Sequence, residues 1–320
     1  MKTNKISIIV PCYNEEGSIV EMYRRVVAVF KKLPSYTFEL LYVDNASKDN
    51  SEKHYTNLAK KDKRVGVIIM SRNFGSPQSS FVAGLDYCTG EAAVLLHGDI
   101  QDPPEMIGAF IQKWEGGYDV VYGVRKLRKG YGVLWNVLYK GFYFLLNKLA
   151  YINIPLNAGE FSLVDRAVIR ELIALDEYDY YLRCLRAYVG FKQVGINYIR
   201  GARTSGTSTE SFWTGLWWAK TILINFSFKP LEWISAMAFF VMIFTFVLMA
   251  INLVMILMFH NSPKGIPTIV ILILFLGGVQ LLSLSVIAEY LAKIFLEVKR
   301  RPRYIVKKTV NIKKTVNSKQ

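Results

Sequence analysis

Two apolar runs near the C-terminus constrain this chain more than any other feature. Ile234 to Phe259 is 26 residues without a charged side chain, and Ile266 to Ala288 is 23. As helices they would reach about 39 and 35 Å, more than a hydrocarbon core of about 30 Å requires. Only His260 to Gly265 separate them, so a transmembrane hairpin is expected, with both flanks on one side. A pair of buried core helices is the alternative, but adjacent charge-free runs of this length are rare in soluble proteins. The flank that follows, 291–320, holds ten Lys and Arg against one acid, Glu297. The positive-inside rule places that basic tail, and the long N-terminal part, in the cytoplasm. Met1 to Lys5 is polar and Ile6 to Val10 is too short for a signal-peptide core, so no cleaved leader is expected.

Composition narrows the remainder. With 52% apolar residues over 320 positions the chain is neither a disordered tail nor a small disulfide scaffold. Cys12, Cys88 and Cys184 lie far apart and there are three histidines, which argues against a disulfide framework or a thiolate zinc site and fits a reducing compartment. The net charge is +15, much of it in the tail. Beside a membrane helix, attraction to anionic lipid at about 1 kcal/mol per basic residue is a simpler use for that charge than nucleic acid.

The first 125 residues alternate short β-rich runs with amphipathic stretches. Strands are expected at Ser7–Val10, Phe38–Val43, Val65–Met70, Ala92–Leu96 and Val120–Tyr122, and helices at Ser18–Leu33, Ser51–Lys61, Gln78–Tyr87 and Glu105–Trp114. That alternation implies a doubly wound α/β sheet, whose ligands sit beyond the carboxyl ends of the strands. The loops there run Pro11–Glu16, Asp44–Asp49, Ser71–Gly75 and His97–Asp102, all polar. Asp99, Gln101, Asp102 and His97 crowd oxygen donors and one imidazole into six residues, a set suited to Mg²⁺ or Mn²⁺ bridging a diphosphate. One such loop is no more than a solvated turn before a helix start; four on one sheet edge outline a nucleotide and metal pocket. Stretches 133–151 and 212–228 are aromatic and weakly basic, and are expected as core helices or as helices lying in the membrane interface. The organisation expected is a catalytic domain over 1–229, a hairpin over 230–290 and a basic tail over 291–320.

Ser7-Ile8-Ile9-Val10-Pro11-x-Tyr13-Asn14-Glu15-Glu16, Val43-Asp44-Asn45-x-Ser47-x-Asp49, Arg72-Asn73-Phe74-Gly75 and Asp99-Ile100-Gln101-Asp102-Pro103-Pro104-Glu105 resemble the inverting, GT-A glycosyltransferases of family 2 type that act on polyprenyl phosphates, the group of dolichol-phosphate mannose synthase. Gly159-Glu160-Phe161, Arg200-x-x-Arg203-x-x-Gly206-x-Ser208, Glu289-Tyr290-Leu291 and Arg301-Pro302-x-Tyr304 continue the likeness in order along nearly the whole chain. The resemblance implies a GT-A mixed sheet and an enzyme that transfers one sugar from a nucleotide sugar, UDP favoured over GDP, to a lipid phosphate at the cytoplasmic face of a bacterial inner membrane, supplying cell-surface glycan assembly. It implies donor binding by Pro11, Tyr13, Asn14, Glu15, Asp44, Asp99, Arg203 and Ser208, and lipid-phosphate binding by Arg125 and Lys140. Asp99 and Gln101 would hold Mg²⁺ or Mn²⁺, with His97 as a further metal candidate, and Asp99 and Glu160 are the expected catalytic carboxylates.

Three positions depart from the family pattern. His97 stands where an acid is usual, Glu160 where Asp is usual, and Thr209 where Lys often follows Ser. The first removes a negative charge from the metal site; the second keeps the carboxylate but lengthens its reach. A processive polysaccharide synthase on the same fold is disfavoured by the absence of Gln-x-x-Arg-Trp and by only two apolar runs. A silent nucleotide-sugar-binding scaffold is the other alternative. Gly277-Gly278 in the second run permits the close packing of a homo-oligomer but is not the G-x-x-x-G spacing.

Overall fold

The computed structural model describes residues 4–125, 148–152, 155, 158–201, 220–259 and 265–312. The chain divides into two compact units, one built on a β-sheet and one on two long helices.

The sheet unit begins with β1 (Asn4–Cys12), α1 (Ile19–Lys31), β2 (Tyr36–Asp44), α2 (Ser51–Lys61), β3 (Val65–Met70), α3 (Pro77–Tyr87), β4 (Ala92–Leu95), α4 (Ile107–Glu115) and β5 (Val120–Arg125). β6 (Ala158–Asp165), α5 (Arg166–Ala174), α6 (Leu182–Tyr188) and β7 (Gln193–Tyr198) follow. After the helical unit β8 (Val306–Val310) returns. The strand order is β7-β5-β6-β4-β1-β2-β3-β8. β4, β1, β2 and β3 run parallel, while β6 lies antiparallel between β4 and β5, so the sheet is mixed, as expected.

Local sequence explains the elements. β1 and β3 are buried nearly throughout, because helices cover both faces of a parallel sheet. α1 buries Ile19, Met22, Val26, Val29 and Phe30, one stripe at helical spacing. α3 opens on Ser76, whose hydroxyl accepts from the Gln78 amide, with Pro77 in its first turn. Ile8, Val10, Leu40, Tyr42, Val94, Phe110 and Phe161 belong to the continuous core.

The 291–320 segment is not simply a basic tail. The last helix continues through Lys299, and β8 then pairs antiparallel with β3, adding an edge strand. The Arg303 guanidinium donates to the Leu175 carbonyl at 2.9 Å, and the Tyr304 hydroxyl donates to Asp86 Oδ2 at 2.5 Å. Lys307 and Lys308 are exposed on this strand, where charge protects an edge from pairing with other chains.

The helical unit contains α7 (Lys229–Phe259) and α8 (Ile266–Lys299). Both exceed the charge-free runs, since a charge ends an apolar run without ending a helix. Each is long and apolar enough to cross a membrane. Only 148–151 and 220–228 of the expected interfacial stretches are described. Phe226 there is buried and Tyr151 bonds to its carbonyl at 3.1 Å, while Lys220 pairs with Glu289 of α8 at 2.6 Å.

Candidate active site

Four strand ends meet along one edge of the sheet. At the first two, the chain after β1 and the chain after β2 are laced together. The Asn14 amide donates to Ser47 Oγ at 2.9 Å, and the Lys48 amide returns a bond to Asn14 Oδ1 at 2.8 Å. The Glu15 amide donates to Ser51 Oγ at 3.0 Å and the Glu16 amide to Asp49 Oδ2 at 3.1 Å. Buried Asp44 accepts from the Ser47 hydroxyl at 2.5 Å; burial pushes its carboxyl pKa up, and the Ser47 bonds oppose the rise. Asn14 and Ala46 hold positive φ, at a cost of about 1–2 kcal/mol each. The result is a pair of cross-bonded loops beside Tyr13, which is 41% exposed. Pro11 is the penultimate residue of β1, paired with Val43 in the parallel ladder.

The other half is built by β4 and β6. Because β6 is antiparallel, the Leu95–Ser162 register carried two residues further sets His97 opposite Glu160. His97 Nε2 lies 3.5 Å from Glu160 Oε2, and the imidazole meets the Phe81 ring edge-on at 5.3 Å. The Gln78 amide nitrogen donates to Glu160 Oε1 at 3.2 Å. Burial opposes charge on both partners, yet the ion pair prevails: His97 is raised above its ordinary pKa, and Glu160, also facing Arg183, is held well below the usual carboxylate range. Arg186 of α6 lies fully buried nearby, its Nη2 donating to the Gly159 carbonyl at 3.4 Å while Nε and Nη1 have no hydrogen-bond partner among the described residues. Burial draws its pKa down to about 10.

Asp99 follows β4. Its Oδ1 accepts from the Gln101 amide at 3.2 Å and its Oδ2 lies 3.6 Å from Arg200 Nη2. Between them Ile100 sits at φ 59°, a genuine outlier for a β-branched residue. The Gly201 amide donates to the Gln101 carbonyl at 2.9 Å, tying this loop to the chain after β7. Arg125 ends β5, and a Cβ on Gly159 would stand 2.9 Å from its Nη2, so only glycine lets the guanidinium lie there. Burial opposes the Arg125 charge, but Asp102 carries its pKa above the ordinary value.

The structure therefore gathers Pro11, Tyr13, Asn14, Glu15, Asp44, His97, Asp99, Gln101, Arg125 and Glu160 along one edge. Lys140, Arg203 and Ser208 lie outside the described residues. Sequence reasoning missed Gln78, Arg183 and Arg186, which carry no local signal, and Tyr198 and Arg200, the latter inside a quoted motif. No three His, Cys, Asp or Glu converge as a metal cage among the described residues, and the His97 Nε2 faces Glu160. One carboxylate and one amide oxygen remain, which still fits Mg²⁺ or Mn²⁺, ions that commonly take one or two carboxylates and complete their shell with water and substrate phosphates.

Residues 7–173 match the model of glycosyl transferase family 2. The chain is 38% identical over 306 residues to the uncharacterized glycosyltransferase YkcC of Bacillus subtilis, covering 96% of this chain and 94% of that protein. It is 36% identical over 306 residues to the SfII prophage-derived bactoprenol glucosyl transferase of Shigella flexneri, covering 95% and 98%. Among solved structures, the mannosyltransferase PcManGT from Pyrobaculum calidifontis, in complex with GDP-Man and Mn²⁺, aligns at a TM-score of 0.46 and 18% identity, over 65% of this chain and 59% of that one.

Proposed function

The chain belongs to glycosyl transferase family 2, and from that premise we propose that it transfers a single sugar, with inversion, from a nucleotide sugar to a polyprenyl phosphate. The observation that carries this reading is the division of the sheet edge into two loops hydrogen-bonded to each other at β1–β2 and a charge-rich half at β4–β6, where Asp99, Glu160, Arg125 and Arg200 lie. Relatives matched over nearly their whole length bear the name bactoprenol glucosyl transferase, and α7 and α8 are long and apolar enough to anchor the chain in the membrane where such a lipid resides. UDP-glucose is accordingly the first donor to test.

The chemistry asks little of a general base, because an acceptor phosphate oxygen is already ionised at neutral pH. It attacks the anomeric carbon from the face opposite the diphosphate, and the sugar–phosphate bond to the donor breaks as the new one forms. Two anions must approach each other, so fixed guanidinium groups are needed to offset their repulsion. Arg125 is placed to meet the acceptor phosphate. Glu160, kept ionised by His97, would stabilise positive charge developing on the sugar ring. The Asp44 loop would hold the nucleoside. When bound by Asp99 and Gln101, Mg²⁺ or Mn²⁺ would neutralise the departing diphosphate. Catalysis would face the cytoplasm of a bacterial inner membrane, with residues 301–312 counted in the catalytic unit.

The test supplies purified protein, in vesicles containing undecaprenyl phosphate, with radiolabelled UDP-glucose and Mn²⁺. The expected product is an organic-extractable, mild-acid-labile lipid carrying one hexose. Nucleotide binding without transfer across a full panel of UDP and GDP sugars would overturn the proposal and favour a silent scaffold.

A further inference from the structure

A chain of three residues, Asp102 and Tyr198 buried and Arg125 half-buried, joins the proposed donor side of the site to its acceptor side. Tyr198, at the end of β7, donates its hydroxyl hydrogen to Asp102 Oδ1 at 2.5 Å. The same hydroxyl oxygen accepts from Arg125 Nε at 3.3 Å. Asp102 is fully buried in the loop that carries Asp99, and its Oδ1 also lies 3.3 Å from Arg200 Nε. Its Oδ2 has no hydrogen-bond partner among the described residues. One carboxylate thus faces Arg200, which reaches Asp99, and, through a single hydroxyl, Arg125.

The sheet has been shaped around this hydroxyl. Tyr198 pairs with Arg125 in the parallel β5–β7 ladder, which brings the two strand ends side by side. A Cβ on Gly123 would stand 2.7 Å from the Tyr198 ring, so glycine there lets the ring lie flat on β5. Phe161, next to Glu160, packs edge-on against the same ring at 5.6 Å. With its ring clamped on two sides, the phenol has little freedom, and its hydroxyl is fixed between an anion and a cation.

We infer that Tyr198 is a positioning residue for acceptor binding: its hydroxyl aims the Arg125 guanidinium at the lipid phosphate and ties that aim to the Asp99 loop. This rests on the reading of Arg125 as the acceptor-phosphate group. Tyr198 touches no reacting atom. Losing a hydrogen bond to a charged group commonly changes an equilibrium about tenfold or more.

The experiment uses full-length detergent-purified protein, with undecaprenyl phosphate and UDP as separate binding probes. Tyr198→Phe keeps the ring and its packing, so thermal stability should stay close to that of the unaltered protein. Undecaprenyl phosphate binding should weaken about tenfold, while UDP affinity changes less than about twofold. In transfer assays the lipid KM should rise with little change in kcat, and Asp102→Asn in the Tyr198→Phe background should add much less than it does alone. Unchanged lipid binding in Tyr198→Phe would overturn the inference while leaving the function reading intact. Equal loss of UDP and lipid binding would overturn it in favour of a structural role. Absence of undecaprenyl phosphate binding by the unaltered protein would overturn both.

Discussion

The β1–β2 end and the β4–β6 end of the sheet solve opposite problems. At the first, the amides of Asn14, Glu15, Glu16 and Lys48 all find side-chain acceptors within the protein. At the second, Asp102 Oδ2 and Arg186 Nε and Nη1 are buried with no hydrogen-bond partner among the described residues, and Arg200 Nε meets Asp102 Oδ1 only as an ion pair at 3.3 Å. Leaving a buried polar group unpaired costs about 1–3 kcal/mol, so this half keeps charged groups whose hydrogen-bonding capacity the fold does not use up. On the proposed function, the contrast would separate a recognition surface from a reaction surface.

That contrast is open to breaking by substitution. The largest effect expected is from Asp99→Asn, which should lower the transfer rate about a thousandfold by removing the carboxylate proposed for the metal; a loss below tenfold would dismiss Asp99 from the chemistry. Arg125→Ala should raise the lipid KM about thirtyfold through loss of a charge-assisted contact, with UDP binding unchanged by calorimetry. Ser47→Ala should weaken UDP binding about fivefold, the worth of about one hydrogen bond, and leave single-turnover transfer at saturating donor unaltered. If it slowed transfer instead, the two ends would not be separable.

The smallest effect concerns pH. His97 is raised in the fold by Glu160, so its contribution to stability is complete below the ordinary histidine value of about 6.5 and is lost as pH rises through the higher folded value. Glu160 is held low, so its contribution is present above about 4.3 and is lost as pH falls through the lower folded value. His97→Gln should therefore flatten the alkaline decline in Tm above about pH 6.5. An unchanged slope would show that the pair does not act as an ion pair.

The contrast also marks what the sequence made legible. The β1–β2 end was readable because its strands are β-rich runs and its acceptors lie within a few residues of the strand ends. At the β4–β6 end the loop residues His97, Asp99 and Gln101 were readable as well, but the strands that complete it were not, since β6 contains Gly159, Glu160 and Ser162 and β7 contains Gln193, Gly195 and Asn197, patterns that hide a strand. β8 was hidden by Lys307 and Lys308 and read as tail. Asp102 and Tyr198 lie 96 residues apart, and no local spacing announces such a bond. The pairing of His97 with Glu160 became visible only with the antiparallel register, which turns two departures from the family pattern into one contact.

The most direct test of the central claim is Glu160→Gln, followed by single-turnover sugar transfer and UDP titration on the same preparation. The account predicts transfer slowed at least about a hundredfold with UDP affinity within about twofold of the unaltered protein. Loss of both together, or of neither, would contradict the division of the site into a recognition half and a reaction half.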